Sequence, residues 1–306
     1  MILLYILLIP LGLLALIKGA QLVVESSVYI ARKTGLPRFV IGVTVVAFGT
    51  SLPELFVNTL SSFAGSDGLV LGNILGSNIS NVLLVIGIAA IVKPISVQHL
   101  VATRDIPFSL ASIFIFVLLL FDQVFNGADA DLLARGDGLI MLMVFLIFLY
   151  YVAFSHKEHY DELEEELGHK RFVNQIAIGS FGVLLLILGG QFVVEGSTAI
   201  AEMFGISEKI IGLTIISIST SLPEMVTTIV AIRQGEGELG IGNIIGSNIF
   251  NLLFVLGISA LVNPVGTAEG VGLDVFMMFI ATVLLIISLF MGQRNKVDRS
   301  EGIFLS

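Results

Sequence analysis

Nine apolar stretches of roughly membrane-spanning length follow one another along this 306-residue chain, at 2–24, 39–63, 69–92, 106–121, 138–154, 172–194, 209–232, 239–262 and 271–291. A helix needs about 20 residues to cross about 30 Å of hydrocarbon. There every backbone polar group must be satisfied internally, which leaves only helices and closed barrels as spanning structures. The alternating pattern of barrel strands is absent, so the spans read as helices. Composition agrees, because only 13 % of residues are charged, against about a quarter in a soluble domain. The opening MILLYILLIP has no basic residue before its apolar run and reads as a retained first helix, not a secretory signal.

Basic residues set the expected topology. With the N-terminus outside, the odd-numbered loops are cytoplasmic and hold twelve Lys and Arg, among them Arg32, Lys33, Arg104, Lys157 and Arg233. The outer loops hold only Arg135 and Lys209. That is a strong positive-inside bias, and it points to a multi-pass protein of the cell membrane. The acidic stretch HKEHYDELEEELGHKR, 156–171, then reads as a solvated cytoplasmic linker. No basic patch suggests nucleic acid, and nothing in the sequence implies a protein partner.

Shifted by 170 residues, the chain matches itself. QLVVESSVYIA (21–31) falls on QFVVEGSTAIA (191–201), and 25 of the 54 pairs between 41–94 and 211–264 are identical. Five spans separate equivalent helices. Five is odd, so the second copy is inverted, as in many secondary transporters whose sites lie where the repeats meet at mid-membrane. The expected fold is all-α, a polytopic membrane protein of two inverted five-helix repeats with broken helices 2, 3, 7 and 8 at its centre. The repeats are 1–155 and 172–306, joined by the linker. The pattern RGDG at 135–138 returns as RSEG at 299–302, so ten helices are expected by design, the tenth incomplete.

Within this apolar chain AFGTSLPEL (47–55) and SISTSLPEM (217–225) each bury a glutamate behind a proline. A charge at the bilayer centre costs at least about 2.5–3.5 kcal/mol. Pro53 and Pro223 lack an N–H and clash one turn back, so the helix should break and free carbonyls around Ala47–Thr50 and Ser217–Thr220. Such backbone is tolerated at depth only where it is buried or lines a wet cavity. Helical spacing adds Asn73, Ser77 and Asn81 on one face and Asn243, Ser247 and Asn251 on its equivalent. Gly72-x-x-x-Gly76 and Gly242-x-x-x-Gly246 should let spans 3 and 8 press against spans 2 and 7. The chain has no Cys, and His99, His156, His159 and His169 fall in or near cytoplasmic loops. The site is therefore built of oxygens, which favours Ca²⁺, Na⁺, Mg²⁺ or Mn²⁺. Glu54 and Glu224 with the Thr50 and Thr220 carbonyls would supply six oxygens, within the six to eight that Ca²⁺ takes. Nothing implies a cofactor. Glu25 and Glu195 also recur and read either as lining an access path or as solvated interfacial acids.

TSLPE followed by GNxxGSNIxN, present twice in inverted halves, resembles the cation/calcium antiporter superfamily, and most of all the prokaryotic sodium/calcium exchangers. The resemblance covers nearly the whole chain. It implies a Ca²⁺ site at Glu54, Glu224, Thr50 and Thr220. It further implies flanking Na⁺ sites using the Ala47 and Ser217 carbonyls with Ser51, Ser77, Ser221 and Ser247, and a middle closed by Asn81 and Asn251. Helices 1 and 6 would slide across the other eight. Position 251 is Asn where the potassium-dependent branch has Asp, which argues against K⁺ cotransport. Ser77 and Ser247 stand near where the proton/calcium branch has glutamates, which favours Na⁺.

The expected activity is therefore Na⁺/Ca²⁺ antiport, not an enzymatic reaction, with both ions as substrates and the bilayer as solvent. An H⁺/Ca²⁺ exchanger is the nearest alternative, since a buried Glu can carry a proton. A cation channel is the alternative of another class.

Overall fold

The computed structural model describes residues 2–127, 129–155, 172–205, 217–267, 270–291 and 295–306. In chain order the helices are α1 Ile2–Thr34, α2 Arg38–Thr50, α3 Leu52–Phe63, α4 Asp67–Val92, α5 Val101–Leu120, α6 Asp122–Asn126 and α7 Arg135–Ser155. The second half supplies α8 Phe172–Met203, α9 Ser217–Thr220, α10 Leu222–Arg233, α11 Gly237–Val262, α12 Val271–Met291 and α13 Arg299–Leu305. Seven described helices are long and apolar enough to cross a membrane, or eight if the bent pair α2 and α3 counts as one span. The seventh expected span, 209–232, lies partly outside the described residues, and the linker 156–171 lies wholly outside them.

The breaks fall where proline puts them. α2 and α3 meet at Ser51 with a 49° bend, and Pro53 sits in the first turn of α3. Ser221 separates α9 from α10, with Pro223 in the same place. Spans 3 and 8 are interrupted differently. α4 and α11 run through, each carrying a π-helical turn, Asn81–Ile86 and Phe250–Val255. Such turns shift the helix register and are common at functional sites.

Two compact units emerge, and they cut across the repeats. One combines residues 1–50 with 156–243, the other 51–155 with 244–306. In the first, α1 lies along α8 with backbones nearly touching. A Cβ on Gly12 would come within 2.6 Å of the Gly189 carbonyl oxygen, and one on Gly182 within 2.8 Å of the Gly19 carbonyl oxygen. Gly12, Gly19 and Ser26 recur every seven residues on α1, as do Gly182, Gly189 and Gly196 on α8. That spacing keeps small residues on one helix face, where they permit close approach. Leu16, Ala20, Val23, Leu186, Ala231 and Leu239 fill the core alongside. Gly42 and Gly242 bring α2 against the start of α11, with a Cβ on Gly242 only 2.6 Å from the Phe39 carbonyl oxygen. Span 8 thus meets span 2 through Gly242. Among the described residues nothing lies within 4 Å of a Cβ built on Gly72 or Gly76, so the expected close packing of span 3 is not seen there.

In the second unit the fifth helix of each half packs on the third helix of the other. Gly138 of α7 faces Gly257 of α11, and Gly302 of α13 faces Gly87 of α4; a Cβ on Gly138 or Gly302 would lie 2.7 Å or 2.9 Å from the opposing carbonyl oxygen. Phe145 of α7 stacks edge-on against Phe250, with ring centres 5.7 Å apart. Two short antiparallel ribbons close the ends: β1 Ile95–Ser96 with β4 Lys296–Val297, and β2 Leu132–Leu133 with β3 Val265–Gly266. Asp298 caps α13, accepting from the Ser300 and Glu301 amides while Glu301 returns a bond to the Asp298 amide. The Ser300 hydroxyl, which also donates to it at 2.6 Å, and these hydrogen bonds hold its carboxyl down at about 2. Exposed Leu60, Phe63, Leu146, Ile147 and Phe276 give the unit a surface suited to hydrocarbon.

The glycine crossing yields a controlled prediction. Gly138→Ala forces a methyl group onto a main-chain oxygen and should destabilise the purified protein by about 1–3 kcal/mol. Gly136, two residues away in α7, has open space. Gly136→Ala should be neutral or stabilise by up to about 1 kcal/mol through helix propensity. Thermal melts in detergent will show opposite signs for the two variants.

Candidate functional site

In the first unit the chain is built around Glu224, which is fully buried in the first turn of α10. A helix start favours negative charge, because its first N–H groups point at it. Ser221 supplies the turn before it with φ −87° and ψ 1°, accepts the Met225 amide at 3.0 Å and is itself buried. Pro223 cannot donate to the carbonyl one turn back. Asn243 braces this corner. Its Nδ2 donates to the Thr228 hydroxyl at 3.1 Å and to the Glu224 carbonyl at 3.4 Å, while its Oδ1 accepts from the Thr50 hydroxyl at 3.0 Å. The Thr50 hydroxyl also lies 3.3 Å from the Ala47 carbonyl oxygen. Thr50 and Ala47 are fully buried, and Thr220 is half-buried. Ser217 opens α9; its side chain lies outside the described residues.

The second unit repeats the design around Glu54, 1 % exposed in the first turn of α3. Ser51, at φ −89° and ψ 10°, takes the same conformation as Ser221. It lies in the sparsely populated bridge region where many active-site residues sit. The brace is equivalent too: Asn73 donates to Asn58 Oδ1 at 2.7 Å, and Asn58 to the Val70 carbonyl at 3.3 Å. Ser77, Asn81, Ser247 and Asn251 are all buried in this unit. Ser77 Oγ, Asn81 Oδ1 and Asn251 Oδ1 have no hydrogen-bond partner among the described residues. A buried polar oxygen without a donor is costly unless something else satisfies it, and a hard cation does so.

The donors gathered in the two units are carboxylate, hydroxyl, amide and carbonyl oxygens. Among the described residues no cluster of three or more His, Cys, Asp or Glu could hold a metal ion. No Lys, Arg or His occurs anywhere in 39–92, 210–232 or 234–262. The helices that bear and brace the two acids carry basic side chains only at their ends, Arg38 at the start of α2 and Arg233 at the end of α10. Arg38 is engaged by Glu236 at 2.6 Å. Glu25 and Glu195 are exposed, Glu195 accepting from Gln191 at 3.1 Å. Sequence reasoning missed Asn58 and Thr228, as it did the heptad of small residues on α1 and α8. The spacing of seven, preserved under the 170-residue shift, was the available signal for the heptad.

Comparison with known proteins accords with this geometry. The family described as sodium/calcium exchanger protein matches residues 4–154 and 175–306. The sodium/calcium exchanger MaX1 of Methanosarcina acetivorans is 32 % identical over 335 residues, covering 98 % of this chain and 94 % of that protein. Inner membrane protein YrbG of Escherichia coli is 36 % identical over 262 residues, covering 83 % of this chain and 78 % of that protein. A solved structure of the sodium-calcium exchanger NCX_Mj matches with a TM-score of 0.84 at 29 % identity, covering 100 % of this chain and 96 % of that one. With doubled TSLPE and GNxxGSN segments, buried acids at two equivalent helix starts and a match across nearly its whole length, the chain belongs to the sodium/calcium exchanger family of membrane transporters.

Proposed function

We propose that this protein exchanges Na⁺ for Ca²⁺ across the cell membrane by alternating access and works as a Ca²⁺ extruder. One observation carries the reading: Glu54 and Glu224 are buried at equivalent helix starts, in apolar spans whose basic residues, Arg38 and Arg233, stand at helix ends. Glu54 and Glu224 act as the charged ligands of Ca²⁺, assisted by the Thr50 and Thr220 carbonyls. Na⁺ uses the Ala47 and Ser217 carbonyls with Ser51, Ser77, Ser221 and Ser247, and Asn81 and Asn251 complete the oxygen set.

Charge balance turns this binding site into an exchanger. Two carboxylates are neutralised by one Ca²⁺ or by several Na⁺. Both loads together would leave excess positive charge where Coulomb energies are large even at an effective dielectric constant of about 20. The ions therefore compete. An empty pair of buried carboxylates is also unfavourable, which holds back the unloaded carrier from switching sides. The inward Na⁺ gradient then drives Ca²⁺ outward.

The test is ⁴⁵Ca²⁺ uptake into proteoliposomes under Na⁺, K⁺ and pH gradients imposed one at a time. Outward Na⁺ gradients should drive uptake, and K⁺ and pH gradients should not; uptake driven by pH alone assigns the protein to H⁺ coupling instead. Glu54→Gln and Glu224→Gln should each lower uptake by at least about 100-fold, the scale of leaving a buried charge without its partner. Conductance in planar bilayers without counter-transport would indicate a channel.

Topology has its own test, because the chain contains no Cys. Lys157→Cys, in the linker, should react with a membrane-impermeant maleimide only from the cytoplasmic side, and Asp129→Cys only from outside.

A further inference from the structure

Four buried asparagines in the second unit form a closed, reciprocal network. Asn78 and Asn81 flank the start of the π turn in α4, and Asn248 and Asn251 do so in α11. They are 2 %, 1 %, 4 % and 0 % exposed. Asn78 Nδ2 donates to the Asn248 carbonyl at 3.1 Å, and Asn248 Nδ2 to the Asn78 carbonyl at 3.4 Å. Asn81 Nδ2 donates to Asn248 Oδ1 at 3.0 Å, and Asn251 Nδ2 to Asn78 Oδ1 at 3.4 Å. The shift of 170 residues exchanges the two halves of this list.

An amide side chain offers donors on one edge and an acceptor on the other, and here the main chain decides which edge faces where. A backbone carbonyl only accepts, so Asn78 and Asn248 must each turn Nδ2 toward the other's carbonyl. Their Oδ1 atoms are then fixed on the opposite edge. Those oxygens also only accept, so Asn81 and Asn251 must present Nδ2 to them. The last two oxygens, Asn81 Oδ1 and Asn251 Oδ1, are left facing away from the network, buried and without a donor among the described residues. Turning either amide over would set oxygen against oxygen.

We infer that Asn78 and Asn248 are positioning residues: the reciprocal network in which each donates to the other's main-chain carbonyl holds Asn81 and Asn251 with their side-chain oxygens turned out as cation ligands. The inference rests on the reading of Asn81 and Asn251 as part of the cargo site. The network relays the direction of two main-chain carbonyls to two ligand atoms, and it adds no charge to the site.

Double-variant cycles in the proteoliposome assay test it, reading the half-saturating Ca²⁺ concentration. Asn81→Ala and Asn248→Ala should each raise that concentration roughly 10-fold, the lower end for losing a partner that orients a metal ligand. The double variant should be no worse than either single one, because Asn248 acts only through Asn81. In an Asn81→Asp background, whose carboxylate presents oxygen on both edges, Asn248→Ala should no longer weaken Ca²⁺ and should relieve oxygen–oxygen repulsion. Multiplying effects in the double variant, or the same loss from Asn248→Ala in both backgrounds, would overturn the inference, as would an unchanged half-saturation in Asn81→Ala. The mirror pair Asn251 and Asn78 gives an independent second cycle should Asn248→Ala fail to fold in detergent. If Glu54→Gln and Glu224→Gln leave uptake intact, the cargo reading itself fails; if they abolish it while the cycles add, only the positioning role falls.

Discussion

Two carboxylates buried in an apolar helical protein, on helices whose only basic side chain, Arg233, stands at the far end of α10, are the constraint from which the rest of this molecule follows. An acid there needs dipoles, donors or a cation. The sequence supplies dipoles and donors. Proline and serine break the span so that Glu54 and Glu224 each stand at a new helix start, where backbone amides favour negative charge. Nearby groups are hydroxyls, amides and carbonyls, all able to turn an oxygen inward.

Asparagine carries three separate tasks in this arrangement, sorted by position along one helix. Asn73 and Asn243 are braces: both edges of Asn243 are used up on Thr50, Thr228 and the Glu224 carbonyl. Asn78 and Asn248 hold other asparagines. Asn81 and Asn251 each keep an oxygen that no described residue satisfies. A side chain with a donor edge and an acceptor edge suits all three tasks because it is neutral: a chain of amides passes orientation along without creating a charge that hydrocarbon would penalise.

Much of this was legible in the sequence. The inverted repeat follows from self-similarity and an odd number of spans. The two breaks follow from Pro53 and Pro223, since a missing N–H acts locally and needs no tertiary knowledge. The acids stand out because charge is rare in such a chain. What could not be read is partner choice. Gly72-x-x-x-Gly76 looked like a packing motif, yet the described close crossings are Gly12 with Gly189, Gly42 with Gly242 and Gly138 with Gly257. A glycine announces that something can approach, but not what does. The role of Asn78 and Asn248 was hidden for a similar reason, because it depends on which edge of an amide faces a carbonyl 170 residues away. The compact units likewise cut across the repeats, since they follow packing and not chain order.

The glycine crossings of the second unit carry a consequence for how its two halves depend on each other. Gly138 meets Gly257 and Gly302 meets Gly87, so the third helix of each half is covered by the fifth helix of the other. A methyl group has no room at either crossing, and one half alone would leave both of these helix faces open.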